Sequence, residues 1–295
     1  MKIVHGEKIE IKTESQHRGG VSRRQRLLEG EVGAIDNYSL VISRPKDRYS
    51  PRHRHAFEQF RYQIEGEANY SRTGVLKAGM LGYFPEAVHY GPQTQGDGQN
   101  LCVLALQCGG ASGTGYPGRD AEFTVTKELE KLGTFKDGVF FRNPGVPGKK
   151  NMDAAQAIWE HVNGRPLVYP KPRYEVPILM HPENFEWVPV EGRKGVSEKF
   201  MGTFTERQIS ASFFKIDPGA TFKVSGGREI YIVLKGEGEL EGADYGLHST
   251  LFLEKKSERA AFKAREETEL LYFRLPNLAA MKVAKPRAQV MQVAE

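Results

Sequence analysis

Three histidines and a glutamine within a short stretch of the chain are the residues best suited to chemistry. His53 and His55 are two residues apart, Gln59 follows four residues later, and His89 lies in a second β-rich segment. Residues two apart on a strand project to the same face, so His53, His55 and Gln59 can point at one spot. A hairpin that returns His89 would complete a four-ligand shell suited to a divalent transition metal.

Short β-rich runs bounded by glycine and proline must position these side chains. They cover 37–43, 59–64, 80–84 and 101–107, and similar runs return at 209–216, 229–234, 250–253 and 269–274. Strands at this spacing predict an all-β sandwich or barrel. Helical patterns are confined to 124–132 and 152–161, and the glycine-rich run 108–118 predicts a flexible loop.

The two β-rich halves have the pattern of an internal repeat. Residues 59–67 align without a gap to residues 229–237. In this alignment Lys223 takes the position of His53, and a protonated lysine cannot ligate a metal. We therefore expect the second copy to lack the metal shell.

The spacing of the histidines resembles the double motif of the cupins. That motif reads H-x-H, three residues, E or Q, six residues and G, then G, five residues, P and a nearby H, and the chain follows it over 53–66 and 79–89. Its duplication is similar to that of the bicupins. The resemblance implies two tandem cupin barrels of the double-stranded β-helix, or jelly-roll, type with a few short helices between them. It also implies a metal in the first barrel, with His53, His55, Gln59 and His89 as ligands.

This interpretation divides the chain into three parts. We expect an amino-terminal cupin barrel with the metal site over 1–118, a helical and extended connector over 119–195, and a carboxy-terminal barrel without metal ligands over 196–295. Cupins commonly carry glutamate at the position of Gln59. Gln59 could be a weak fourth ligand or a hydrogen-bond partner of a ligand.

Within the cupins, residues 53–66 are similar to the signature of gentisate-type ring-cleaving dioxygenases, which are iron-dependent bicupins. The resemblance implies Fe(II), with Mn, Ni or Zn as alternatives, and an oxidoreductase acting on a small carboxylated or hydroxylated substrate. Arg61 matches the arginine of that signature and shares the strand face of Gln59, where it could fork to a substrate carboxylate. An ion pair with a protein carboxylate is the alternative for Arg61. Tyr62 is the second candidate catalytic residue, with core packing as its alternative.

Two other function classes use the same residues. One is a non-redox cupin isomerase, lyase or hydrolase in which Mn, Ni or Zn acts as a Lewis acid. The other is a non-catalytic bicupin that binds a small molecule. The fold does not distinguish these classes, because cupin barrels host many reactions.

The bulk composition restricts the partners. The chain has 295 residues and a net charge of +5, with its basic residues dispersed, so we expect no nucleic-acid partner. We expect no membrane partner, because no long apolar run and no signal-peptide core occurs. Cys102 and Cys108 fall on one apolar strand without metal-type spacing, so a reducing, cytoplasmic location is expected. Sheet edges that need covering predict a homo-oligomer, most simply a homodimer.

Overall fold

The computed structural model describes residues 1–15, 18, 20–95, 98–278 and 281, and strands dominate it throughout. The amino-terminal part contains β1 (Lys2–Val4), β2 (Ile11–Ser15), β3 (Val21–Glu29), β4 (Tyr38–Lys46), β5 (Tyr49–Ser50), β6 (Phe57–Glu65), β7 (Glu67–Asn69), β8 (Val75–Lys77), β9 (Leu81–Phe84), β10 (Gln93–Thr94) and β11 (Cys102–Gly109). The middle part contains α1 (Arg119–Leu129), β12 (Gly133–Lys136), β13 (Val139–Arg142), β14 (Asn151–Asp153), α2 (Ala154–Asn163), β15 (Ile178–Met180) and β16 (Val188–Pro189). The carboxy-terminal part contains β17 (Val196–Thr203), β18 (Ser210–Ile216), β19 (Thr221–Ser225), β20 (Glu229–Lys235), β21 (Gly238–Leu240), β22 (Ala243–Tyr245), β23 (Thr250–Leu253), β24 (Arg259–Ala264) and β25 (Thr268–Arg274).

Each half of the chain builds one large antiparallel sheet. In the described residues the first sheet has the order β15-β9-β6-β11-β4-β3-β2, and the second has the order β1-β23-β20-β25-β18-β17-β16. The small sheets β5-β10 and β7-β8 accompany the first, and the sheet β19-β24-β21-β22 accompanies the second. This architecture confirms the predicted all-β pair of jelly-roll barrels.

The strand pairing follows the predicted repeat. Gln59 pairs with Phe84 in the first sheet, and Glu229 pairs with Leu253 at the corresponding place in the second. Each large sheet also takes a strand from outside its own barrel segment: β1 joins the second sheet and β15 joins the first. Strand β1, from the amino-terminal part, therefore ties the two barrels together, whereas β15 attaches the middle part to the first barrel. The segment boundaries at 118 and 195 stay a prediction.

The outer faces of the two large sheets pack on each other to form the main core. Phe60 on β6 is fully buried, and its ring centroid lies 5.0 Å from that of Phe273 in the second barrel. Tyr62, two residues along, lies 5.7 Å from the ring of Phe213. Because successive residues on a strand alternate faces, Gln59 and Arg61 point the other way, into the first barrel.

The interiors of the two barrels differ in chemistry. The second is filled by apolar side chains such as Tyr231, Val233 and Phe262, all buried. In the repeat alignment Tyr231 and Val233 take the positions of Arg61 and Gln63, which are buried polar residues of the first barrel. Among the described residues, the first barrel therefore has the more polar interior of the two, as a ligand site needs.

The residues between the two barrel segments of the sequence form a small subdomain, which packs beside the first barrel. It contains both helices and the sheet β12-β13-β14, and it has its own apolar cluster that includes Val125, Phe140 and Ile158. Helix α2 begins where the Asp153 side chain accepts a hydrogen bond from the backbone of Gln156, at 3.1 Å. Helix α1 begins at Arg119, five residues before the predicted start at 124, and this earlier start brings charged residues of its first turn to the barrel.

A buried pair of carboxylates connects β6 to the glycine-rich loop and the connector. Glu58 is fully buried and accepts a hydrogen bond from the Tyr83 hydroxyl at 2.7 Å. Burial, together with the nearby Glu86 carboxylate, raises the pKa of Glu58 to about 7. Glu86 accepts hydrogen bonds from the Ser112 hydroxyl and from Arg173, both at 2.6 Å. Glu58 thus faces away from Gln59 and has a structural role.

We predict that Glu58→Gln changes how the stability of the protein depends on pH. Folding raises the pKa of Glu58 from 4.5 to about 7, so the folded protein binds more protons than the unfolded chain between these values. The wild type should therefore lose free energy of unfolding, relative to E58Q, as the pH rises through this interval. Urea denaturation across the interval measures the difference, with Glu31→Gln, an exposed position, as the control. Wild-type and E58Q curves that stay parallel would contradict the prediction.

Candidate functional site

The paired histidines lie at the wall of a cavity inside the first barrel. His53 is buried, His55 is half-buried, and their ring centroids are 4.9 Å apart. Both line a cavity of about 90 Å³ together with Gln59 and Arg61. The structure thus brings three of the four predicted metal ligands, and the predicted arginine, to one place.

His53 is held in one orientation by the backbone. Its Nδ1 lies 2.6 Å from the carbonyl oxygen of Pro51, so Nδ1–H donates and Nε2 is left as the acceptor of the ring. Burial lowers the pKa of His53 well below its ordinary value, and the positive charge of Arg18 adds to the effect. His53 is therefore a neutral imidazole suited to accept a hydrogen bond.

His89 does not join the other predicted ligands. It is exposed, whereas the next residue, Tyr90, is buried and forms an antiparallel bridge with His53. The Tyr90 ring centroid lies 4.4 Å from that of His53. Since adjacent residues of an extended segment face opposite sides, pairing Tyr90 with His53 turns His89 outward. The prediction that His89 completes the shell is corrected, because Tyr90 takes that place.

The residues present do not fit the predicted four-ligand metal shell. Among the described residues, no group of three or more histidine, cysteine, aspartate or glutamate side chains could hold a metal ion. Oε1 of the Gln59 side chain accepts hydrogen bonds from Arg61 Nε at 3.0 Å and from the Tyr90 hydroxyl at 3.3 Å. A cation placed beside Gln59 would also face the positive charge of Arg61.

Arg61 and Arg48 are cations whose charge is balanced by no carboxylate among the residues that the structure describes. Arg61 is buried and donates to Gln59 and, at 3.0 Å, to the Tyr90 hydroxyl. Arg48 is half-buried and donates to Oε1 of the Gln93 side chain at 2.8 Å. These partners are all neutral, and within the described ranges neither guanidinium forms an ion pair. Burial, reinforced by the charge of Arg61, lowers the pKa of Arg48 to about 9. The alternative expectation, an ion pair between Arg61 and a protein carboxylate, is therefore wrong for the described part of the chain.

Three further arginines at the cavity are neutralised by the protein. Each forms an ion pair with one carboxylate: Arg18 with Asp153 at 2.7 Å, Arg24 with Glu14 at 2.7 Å, and Arg119 with Glu122 at 3.0 Å. All three arginines line the same cavity as Arg48 and Arg61. The cavity as a whole is therefore electropositive, and its excess charge is centred on Arg48 and Arg61.

Tyr62, the second predicted catalytic residue, does not reach the cavity. It lies on the outer face of β6, against Phe213 and the core between the barrels. Strand alternation explains the error, because Tyr62 is adjacent to the inward-facing Arg61 and must face outward. Its catalytic assignment is corrected to core packing.

The sequence pattern does not mark Arg48 as a site residue. Arg48 lies between the strands β4 and β5, just before the paired histidines, and Asp47 beside it has a left-handed backbone with φ of 55°. An arginine in such a turn has no periodic pattern that marks it as buried. Tyr90 lies inside because Tyr90, and not His89, pairs with His53.

Comparison with solved structures shows what the fold resembles. The chain is similar to a provisionally named dioxygenase from Nostoc punctiforme, with a TM-score of 0.62, 12% identity and coverage of 96% of this chain and 85% of that one. It is similar to oxalate decarboxylase from Bacillus subtilis, with a TM-score of 0.54, 14% identity and coverage of 94% and 76%. It is also similar to a provisionally named glyoxylate-induced protein from Pseudomonas aeruginosa, with a TM-score of 0.55, 10% identity and coverage of 90% and 84%.

No family model and no curated protein matches the chain. Mn(II) centres are named for the Bacillus subtilis oxalate decarboxylase. Within the described residues, none of the helices has the length and apolar character needed to span a membrane. At these low identities, the likeness establishes a fold of the bicupin type.

Proposed function

We propose that the chain is a bicupin whose amino-terminal barrel binds a small carboxylate-bearing molecule between Arg48 and Arg61. The observation that carries the proposal is the pair of guanidiniums with only neutral partners among the described residues. A buried charge without a counter-charge costs several kcal/mol, and a bound anion removes that cost. The protein leaves this position for a ligand to neutralise.

The shape of the cavity supports a carboxylate over a larger anion. A volume of about 90 Å³ holds a group of only a few heavy atoms. A planar guanidinium binds a carboxylate through two parallel hydrogen bonds. The neutral His53 ring at the same wall can accept a hydrogen bond from a hydroxyl group of the ligand. These features together favour a small hydroxylated carboxylic acid.

We predict that Arg61→Gln weakens the binding of glycolate by about tenfold or more, because one charge-assisted contact of about 1.5–3 kcal/mol is lost. Isothermal titration calorimetry measures the dissociation constant. Arg23→Gln is the matched control, because Arg23 is exposed on β3 and should leave glycolate binding unchanged.

A second measurement separates lost binding from lost folding. Without an anion, R61Q should unfold at the same temperature as the wild type or a higher one, because the variant no longer buries an unbalanced charge. Equal glycolate affinity in R61Q and the wild type, or no glycolate binding by the wild type, would overturn the proposal.

The second candidate is a metal-dependent oxidoreductase, which the sequence predicts to resemble an iron dioxygenase. One observation favours it: His53 and His55 face one cavity, and the backbone holds His53 through Nδ1, as is common for metal-binding histidines. A non-redox enzyme that uses Mn, Ni or Zn as a Lewis acid would depend on the same two histidines. The outward position of His89 and the adjacent cationic groups weigh against this candidate.

We predict that protein purified without added metal contains far less than one transition-metal ion per chain. Elemental analysis of the wild type measures this directly. If the wild type does hold a stoichiometric metal, His55→Ala should remove it, whereas His89→Ala, at an exposed position, should retain it. Stoichiometric metal that H55A loses would favour the second candidate over simple anion binding.

A further inference from the structure

A larger chamber adjoins the cavity of the first barrel. This outer chamber has a volume of about 540 Å³ and lies between the β2–β3 edge of the first sheet and helix α1. Arg24, Arg119 and Glu122 line both the outer chamber and the inner cavity. The two spaces therefore meet at these three side chains, which we call the neck.

The outer chamber differs from the inner cavity in its chemistry. It contains two aromatic rings, those of Phe123 and Phe135. Phe123, on helix α1, is 49% exposed, so its ring is available for contact with a ligand. Lys127 Nζ lies over one face of the Phe123 ring, 4.3 Å from its centroid, in a cation–π contact. The chamber thus offers an apolar surface whose hydration is unfavourable.

The charges of the outer chamber balance one another. Arg24 and Arg26 both pair with Glu14, and Arg119 pairs with Glu122. In contrast to the inner cavity with Arg48 and Arg61, the whole lining carries four basic and four acidic side chains: Arg24, Arg26, Arg119 and Lys127 against Glu14, Glu122, Glu130 and Asp137. An anionic group therefore binds most favourably in the inner cavity, and an uncharged apolar group binds most favourably beside Phe123.

We infer that the ligand has two parts, a carboxylate head for the inner cavity and an uncharged body, aryl or alkyl, for the outer chamber. This inference rests on the proposed function and extends it to the class of ligand. The head lies between Arg48 and Arg61, the neck surrounds a short linking chain, and the body packs on Phe123. Because the two spaces are distinct and meet only at the neck, the head and the body are joined by a linking chain rather than bonded directly to each other.

The test compares two carboxylates on the full chain. Isothermal titration calorimetry of 4-phenylbutanoate and of acetate gives the gain due to the body. The wild type should bind 4-phenylbutanoate at least about tenfold more tightly than acetate, since burying a phenyl ring against an aromatic wall is worth more than that factor. Phe123→Ala should abolish most of this gain and leave acetate binding unchanged. Phe200→Ala, a similarly exposed phenylalanine on the second barrel, should change neither value.

The outcomes separate this inference from the proposed function. If acetate binds in an Arg61-dependent way but 4-phenylbutanoate gains nothing, or gains equally in F123A, the two-part ligand is wrong and the proposed function stands. If the wild type binds glycolate but neither of these acids, the inference alone fails. If the wild type binds none of the three, the proposed function fails and the inference fails with it. A gain that F123A loses and F200A keeps supports both.

Discussion

The guanidinium groups of Arg48 and Arg61 lie inside a barrel where, among the described residues, every direct hydrogen-bond partner they have is neutral. Burying such charges is unfavourable unless something balances them. The rest of the site follows from this constraint. Gln59 and Tyr90 fix the plane of Arg61, and the Tyr90–His53 bridge closes the wall beside it. The surrounding arginines are paired with carboxylates, so the excess positive charge stays on Arg48 and Arg61.

The structure can keep this unfavourable interior because its stability comes from elsewhere. The two large sheets bury Phe60, Phe273 and their neighbours between the barrels, and the second barrel is filled with apolar side chains. Strand β1, which joins the second sheet, and strand β15, which joins the first, add backbone pairing to this core. One barrel thus serves as scaffold, and the other is free to hold charged groups around a small cavity.

The fold could be predicted from sequence because spaced β-rich runs and their duplication depend on local patterns. The inward direction of Gln59 and Arg61 followed from strand alternation, and the same rule should have excluded Tyr62. The placement of His89 depended on one residue of register at the end of a hairpin, which the sequence does not fix. Arg48 and Arg119 reach the cavity through a turn and an inserted helix, so only tertiary contacts reveal them.

The most direct test of the central claim is anomalous diffraction from crystals soaked in bromide, a spherical anion that reports positive potential without needing a specific ligand. We expect a bromide peak within hydrogen-bond distance of both Arg48 and Arg61. A cavity without bromide, or one in which a metal ion bound by His53 and His55 occupies that space, would contradict it.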